Sequence, residues 1–138
     1  MTLRDVAVGD ELTPMNFTVR ARNIKMMAAI MQDSTPLHFD RRYVESQGHS
    51  GLVNEGPANI SYVTQFVLEQ LESPVDLLSL ETQLEAVVTE GDTLTATGTV
   101  EDKRTVSGRR VADLDLTLDT EEGEVALSGT ATVRLADE

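Results

Sequence analysis

The sequence contains no cysteine, which excludes disulfide staples, thiolate metal sites and cysteine nucleophiles. Its two histidines, His38 and His49, are too few for a metal cage, so no resident metal is expected. No stretch approaches the ~18 apolar residues of a membrane span. The opening Met1-Thr2-Leu3-Arg4-Asp5 lacks a signal-peptide core, so a cytoplasmic setting away from the membrane is expected. Bases are scarce, 11 against 24 acids, and a net charge of −13 disfavours nucleic acid as a partner. A polyanionic ligand would need a local basic patch. Repeats, low-complexity tracts and Pro/Gly-rich linkers are also missing. The 138 residues therefore read as one domain, 1–138.

What is present has ordinary globular composition, 40% apolar and 25% charged. Met15, Phe17 and Val19 alternate with polar residues, as a half-buried strand does. Ile24, Met27, Ala28 and Met31 then fall at helical spacing, with Asn23 as the expected N-cap. Pro36 disfavours helix at Thr35, so this helix stops near Asp33. A short helix over Arg41–Gln47 ending at Gly48 is expected next. Pro57 suits the first turn of the best helix in the chain, whose apolar face is read as Ile60, Val63, Thr64, Val67 and Leu71. The remainder alternates with period two. Turns at Glu90-Gly91-Asp92, Ser107-Gly108 and Glu122-Gly123 separate Leu78–Leu84, Leu94–Val100, Leu114–Leu118 and Val125–Leu135. This order predicts an α+β fold, a five-stranded antiparallel meander wrapped on one long central helix.

Two segments can carry chemistry. Asp33 and His38 are ionisable, and such a pair can activate water and return a proton to carbon. On spacing alone, Asp33 reads first as a helix C-terminal or Asx-turn residue. In Asn54-Glu55-Gly56-Pro57, glycine admits close approach of a ligand, and helix-terminal amides can bind an oxyanion. In isolation it reads first as an ordinary N-terminal turn.

Taken together the segments resemble the MaoC-like (R)-specific enoyl-CoA hydratases of the hot-dog fold. Their Asp-x-Asn-Pro-Leu/Ile-His-x-Asp motif stands here as Asp33-Ser34-Thr35-Pro36-Leu37-His38-Phe39-Asp40, and their later His-Gly as Glu55-Gly56. The likeness runs from Val8-Gly9-Asp10-Glu11-Leu12 to Glu90-Gly91-Asp92-Thr93-Leu94. It implies a single hot-dog domain that hydrates trans-2-enoyl-CoA thioesters reversibly. Asp33 and His38 would be the catalytic pair and the Gly56 amide the oxyanion donor. Val53, Asn54 and Thr64 would bind or line the substrate site, Thr64 reading equally as core. The acyl group arrives as its CoA thioester, so no further cofactor is implied. Thr35 and Glu55 depart from the motif.

The resemblance also implies a homodimer, or pairing with a second hot-dog chain as in steroid side-chain hydratases. A hot-dog thioesterase ranks last, because it would place a carboxylate on the central helix and Ala58–Phe66 carries none. Arg41-Arg42, Lys103-Arg104 and Arg109-Arg110 are candidates for CoA phosphates or plain solvated surface. Met26, Met27 and Met31 are read as core filler or, less often, pocket lining, His49 as exposed, and Asp113, Asp115 and Asp119 as the solvent face of a strand.

Overall fold

Period-two alternation builds the frame. In the computed structural model, which describes residues 3–136, β1 (Met15–Thr18), β2 (Leu77–Leu84), β3 (Thr93–Val106), β4 (Arg109–Thr120) and β5 (Val125–Arg134) form one antiparallel sheet. Alternate residues Leu94, Ala96 and Val100 of β3 and Leu114, Leu116 and Leu118 of β4 are fully buried on its inner face. Ser107 and Gly108 both have positive φ (52° and 78°), the turn whose twist matches a two-residue hairpin.

The strand order is β1-β3-β4-β5-β2, which corrects the expected meander. Only β3, β4 and β5 follow one another; residues 85–92 carry the chain from β2 at one edge back to β3. That crossover is fastened to the segment before the long helix, through Asn54 N–H to Val88 O and Glu90 N–H to Leu52 O. A register shift opposite Leu118 and Asp119 inserts Ala126 beside Leu127. Both are buried, whereas Val125, expected inside, is 38% exposed. On the edge strand β2, a bulge after Leu77 turns Leu78 outward, and Leu84 is exposed as well.

Of the helices, α1 spans Ala21–Met31, α2 Arg41–Ser46 and α3 Gly56–Glu69. The first starts earlier than expected, with Arg20 and not Asn23 at the N-cap. Val19 exchanges hydrogen bonds with Asp92 O and Gly91 N–H, and this tie ends β1 so abruptly that the helix begins two residues on. Among the α1 methionines, Met27 is half-buried while Met26 and Met31 are exposed, not core.

The expected central helix is α3, rotated from the expected face. Ala58, Asn59, Val63, Phe66 and Val67 are buried, whereas Ile60, Thr64 and Leu71 are half-buried. Phe66 sets the rotation. It sits against Gly98 of β3, where a Cβ would come within 3.1 Å of its ring, so the missing side chain is its seat. Burying that ring contributes about 1.5–3 kcal/mol. The packing fixes where the N-terminus of α3 points, and therefore where the site forms.

Candidate active site

The loop after α1 is shaped by local hydrogen bonds. Gln32 closes the helix in the left-handed region (φ 55°). Asp33 Oδ1 then accepts from Thr35 N–H (3.0 Å) and from Thr35 Oγ1 (2.6 Å), and Pro36 opens a 3₁₀ turn, Pro36–His38. Asp40 caps α2 by accepting from Arg42 N–H and Tyr43 N–H. With Oδ1 held by Thr35, Asp33 has Oδ2 left, which lies 3.2 Å from His38 Nε2.

His38 is fixed from its other side. Its Nδ1 lies 2.8 Å from Val53 O, and Val53 N–H donates to Leu37 O. The extended segment 52–54 thus turns the polar groups of Val53 to the 3₁₀ turn. Those of Leu52 and Asn54 face the crossover. A carbonyl only accepts, so Nδ1 carries a proton. Nε2 lies at direct hydrogen-bond distance from a carboxylate, so a bond there needs a second proton and an imidazolium ring.

The electrostatics separate two carboxyl groups. The Thr35 hydroxyl and amide, with His38 a lesser contributor, hold Asp33 below the usual carboxylate range. Burial pushes Glu55 up instead: the residue is 3% exposed and neither carboxylate oxygen has a hydrogen-bond partner. Burial also raises the Tyr62 hydroxyl. Among the described residues the buried polar side chains are His38, Asn54, Glu55 and Asn59, all gathered around the start of α3.

Each expected site residue can now be placed. Asp33 and His38 are brought together, with Val53 as the ring's backbone anchor. Gly56 occupies the first turn of α3, where an amide has no acceptor within the helix. A Cβ at Gly56 would lie 2.6 Å from Leu84 Cδ1, so this position tolerates no side chain unless Leu84 moves. Gly56 also borders a cleft of about 320 Å³ walled by Val53, Asn54, Asn59, Leu84 and Val88. The Asn54 amide is turned inward and donates to Asn59 Oδ1 (2.8 Å). Thr64 lies further along, its hydroxyl donating to Ile60 O (2.8 Å), in a separate groove with Pro57 and Leu68.

Sequence reasoning missed Asn59 and Tyr62. Both are polar residues on the inner side of a helix read only for its apolar positions. Tyr62 packs on Phe17 with ring centroids 4.8 Å apart.

The basic candidates fare differently. Arg41 makes a bidentate pair with Glu90 (3.1 and 3.0 Å), tying α2 to the crossover. Arg104 is likewise paired with Asp113. Lys103, Arg104, Arg109 and Arg110 all lie toward the Ser107–Gly108 turn, about 33–43 Å along β3 from its start at Thr93. Within one chain they do not reach the Asp33–His38 pair. Asp115 is exposed, whereas Asp113 and Asp119 are half-buried, and His49 is half-buried and not exposed.

No family model matches the sequence, and no curated protein matches it. Solved structures do. The R-hydratase PhaJ1 from Pseudomonas aeruginosa in its unliganded form superposes with a TM-score of 0.85 at 18% identity, covering 98% of this chain and 85% of that one. A MaoC-like dehydratase from Rhodospirillum rubrum gives 0.78 at 24% identity over 100% and 98%. The ChsH1–ChsH2 complex from Mycobacterium tuberculosis gives 0.77 at 17% identity over 94% and 98%. What these identities establish is shared architecture: the chain has the hot-dog fold of these proteins.

Proposed function

We propose that the chain is a hydratase that adds water to trans-2-enoyl-CoA thioesters, giving (R)-3-hydroxyacyl-CoA, and that also runs in reverse. The observation that carries this reading is the His38 ring, held between Val53 O and the Asp33 carboxylate with two acceptors for its two nitrogens. Asp33, kept ionised by Thr35, is then the base and His38 the acid. Water gives one proton to Asp33 while its oxygen bonds to C3 of the enoyl group. The C2–C3 π electrons move onto the thioester as an enolate, and His38 Nε2–H protonates C2. Asp33 returns its proton to His38 across the 3.2 Å contact, and the pair is reset.

The enolate oxygen needs donors. The Gly56 amide at the head of the 14-residue α3 supplies one, in the positive field of the helix terminus. The cleft bordering Gly56 has mostly apolar walls and suits an acyl or thioester-bearing chain.

A second reading places the chain as one half of a heteromeric hydratase. The edge strand β2 leaves Leu78 and Leu84 exposed, with Val87 exposed just beyond it, as a sheet edge awaiting another chain does. One neighbour of the same fold is itself a two-protein complex.

Loss of the conjugated enoyl-thioester absorbance tests the proposal, using crotonyl-, octenoyl- and a bulky steroid-type enoyl-CoA. Turnover by the native protein that disappears in both Asp33→Asn and His38→Ala is the expected result. Absence of turnover that a second hot-dog chain restores on mixing selects the heteromer. Release of free CoA from a saturated acyl-CoA selects a thioesterase.

A further inference from the structure

Two β-bulges act at the end of the sheet near Ser107, away from the Asp33–His38 pair. Alternation along β3 sends Leu94, Ala96 and Val100 inward, and unbroken it would send Arg104 and Val106 inward too. The register shift between Val100 and Asp102 reverses this. It pairs Arg104 with Val111 and Val106 with Arg109, on the outer face opposite the inward Ala112 and Leu114. On β2, Leu80 packs inward, and the shift after Leu77 turns Leu78 outward. The two apolar side chains re-aimed in this way, Val106 and Leu78, are left about half exposed. Exposure of that kind is unfavourable unless something covers it.

Between them lies a groove of about 410 Å³ that crosses the sheet from β3 to β2, three strand spacings or about 14 Å. Val111, only 3% exposed, and Thr132 form its floor. The floor is tied down: Thr132 Oγ1 donates to Asp113 (2.7 Å), which also holds Arg104 through both oxygens. Among the described residues no acidic side chain lines the groove, whereas Arg109 does. Arg104 and Arg134 are neutralised by Asp113 and Asp76, but the Arg109 guanidinium has no partner among the described residues. Ser107 lines the same end.

We propose that this groove binds a medium-chain carboxylate, its head group on the Arg109 guanidinium and its alkyl chain laid over Val111 toward Leu78. A planar guanidinium meets a carboxylate through two parallel hydrogen bonds, and the Ser107 hydroxyl is a further donor at that end. An extended chain of about 14 Å removes Val106, Val111 and Leu78 from water together. With a net charge of −13 the protein repels anions at large, so the local cation and the apolar floor must act jointly. A bare anion lacks the apolar contact, and an uncharged chain leaves Arg109 without its carboxylate. The site lies apart from the cleft beside Gly56, and its occupancy is measured without turnover.

The test adds sodium octanoate to ¹⁵N-labelled protein and follows the backbone amide signals by NMR. Saturable shifts are expected at Val106–Arg109, Val111 and Thr132, with acetate producing none. Octan-1-ol, the same chain without the charge, binds about tenfold more weakly. Arg109→Gln weakens octanoate binding by about tenfold, and Leu78→Ser weakens it as well. Both residues are exposed, so each variant is checked for an unchanged spectrum away from the groove. Arg110→Gln leaves the affinity in place, because Arg110 pairs with Thr105 on the opposite face.

Shifts that never saturate, octanol binding as tightly as octanoate, or an affinity that survives Arg109→Gln overturn the proposal. So do shifts at the same amides on raising the protein concentration alone, with octanoate adding none, which assign the groove to a second copy of the chain. Shifts confined to Val53, Gly56 and Val88 place the ligand in the cleft at the head of α3 and contradict the proposal equally.

Discussion

The end of the sheet near Ser107 and the start of α3 both gather acids, bases and hydroxyls, and they treat them in opposite ways. Near the turn, Asp113 accepts from Arg104 through both oxygens and from Thr132 (2.7 Å), and these donors hold it below its ordinary range. The network is half-exposed and satisfied, and its charge is screened by solvent. At the start of α3, Glu55 has burial without donors and shifts upward, while Asp33, reached through His38, shifts down under Thr35. A carboxyl supplied with donors is held ionised, and one buried without them is held protonated, so the same chemical group takes opposite states in the two settings.

The largest effects should therefore fall on the pair. Asp33→Asn or His38→Ala lowers kcat for enoyl-CoA hydration by about 10²–10⁴-fold, read from initial rates on protein shown to be folded. Next comes the seat of α3. Phe66→Ala costs about 3–5 kcal/mol in denaturant unfolding, because the ring is fully buried against Gly98.

Smaller effects sharpen the contrast between the carboxyls through pH. Asp33 holds its proton less tightly folded than unfolded, so its contribution is present above the ordinary aspartate range and is lost as pH falls through its folded value. Thr35→Val weakens that preference and moves the acid limb of the rate profile to higher pH. Glu55 has the opposite sign. It binds its proton more tightly when folded, so stability falls as pH rises from the ordinary glutamate range through the folded value. Glu55→Gln removes that decline, which melts recorded across pH will show. The smallest effect is expected of Arg104→Ala: a slight loss of stability that disappears in high salt, with hydration rates unchanged.

Much of this was legible before any coordinates. Alternation placed the inward residues of β3 and β4, and the Ser107-Gly108 and Pro57 signals marked a turn and a helix start, because those features depend on neighbours in sequence. The Asp33–His38 pair was legible as a resemblance, while its contact needed the tertiary bond from His38 to Val53 O. Other features depend on packing that periodicity does not encode. The β2 crossover arises from pairing across the sheet, the rotation of α3 from the space at Gly98, and the burial of Glu55 from how the 52–55 segment is clamped between the 3₁₀ turn and the crossover. Arg41 looked free for a phosphate until Glu90, distant in sequence, was found to hold it.

The most direct test of the central claim follows the oxygen of water. The protein is incubated with crotonyl-CoA in H₂¹⁸O, and the products are resolved by chiral chromatography and mass spectrometry. Hydration by the Asp33–His38 pair predicts ¹⁸O on C3 of an (R)-3-hydroxybutyryl thioester, with CoA still attached, and no incorporation in Asp33→Asn. Label in the carboxyl group of a free acid, or a hydroxy product formed equally well by Asp33→Asn, would contradict it.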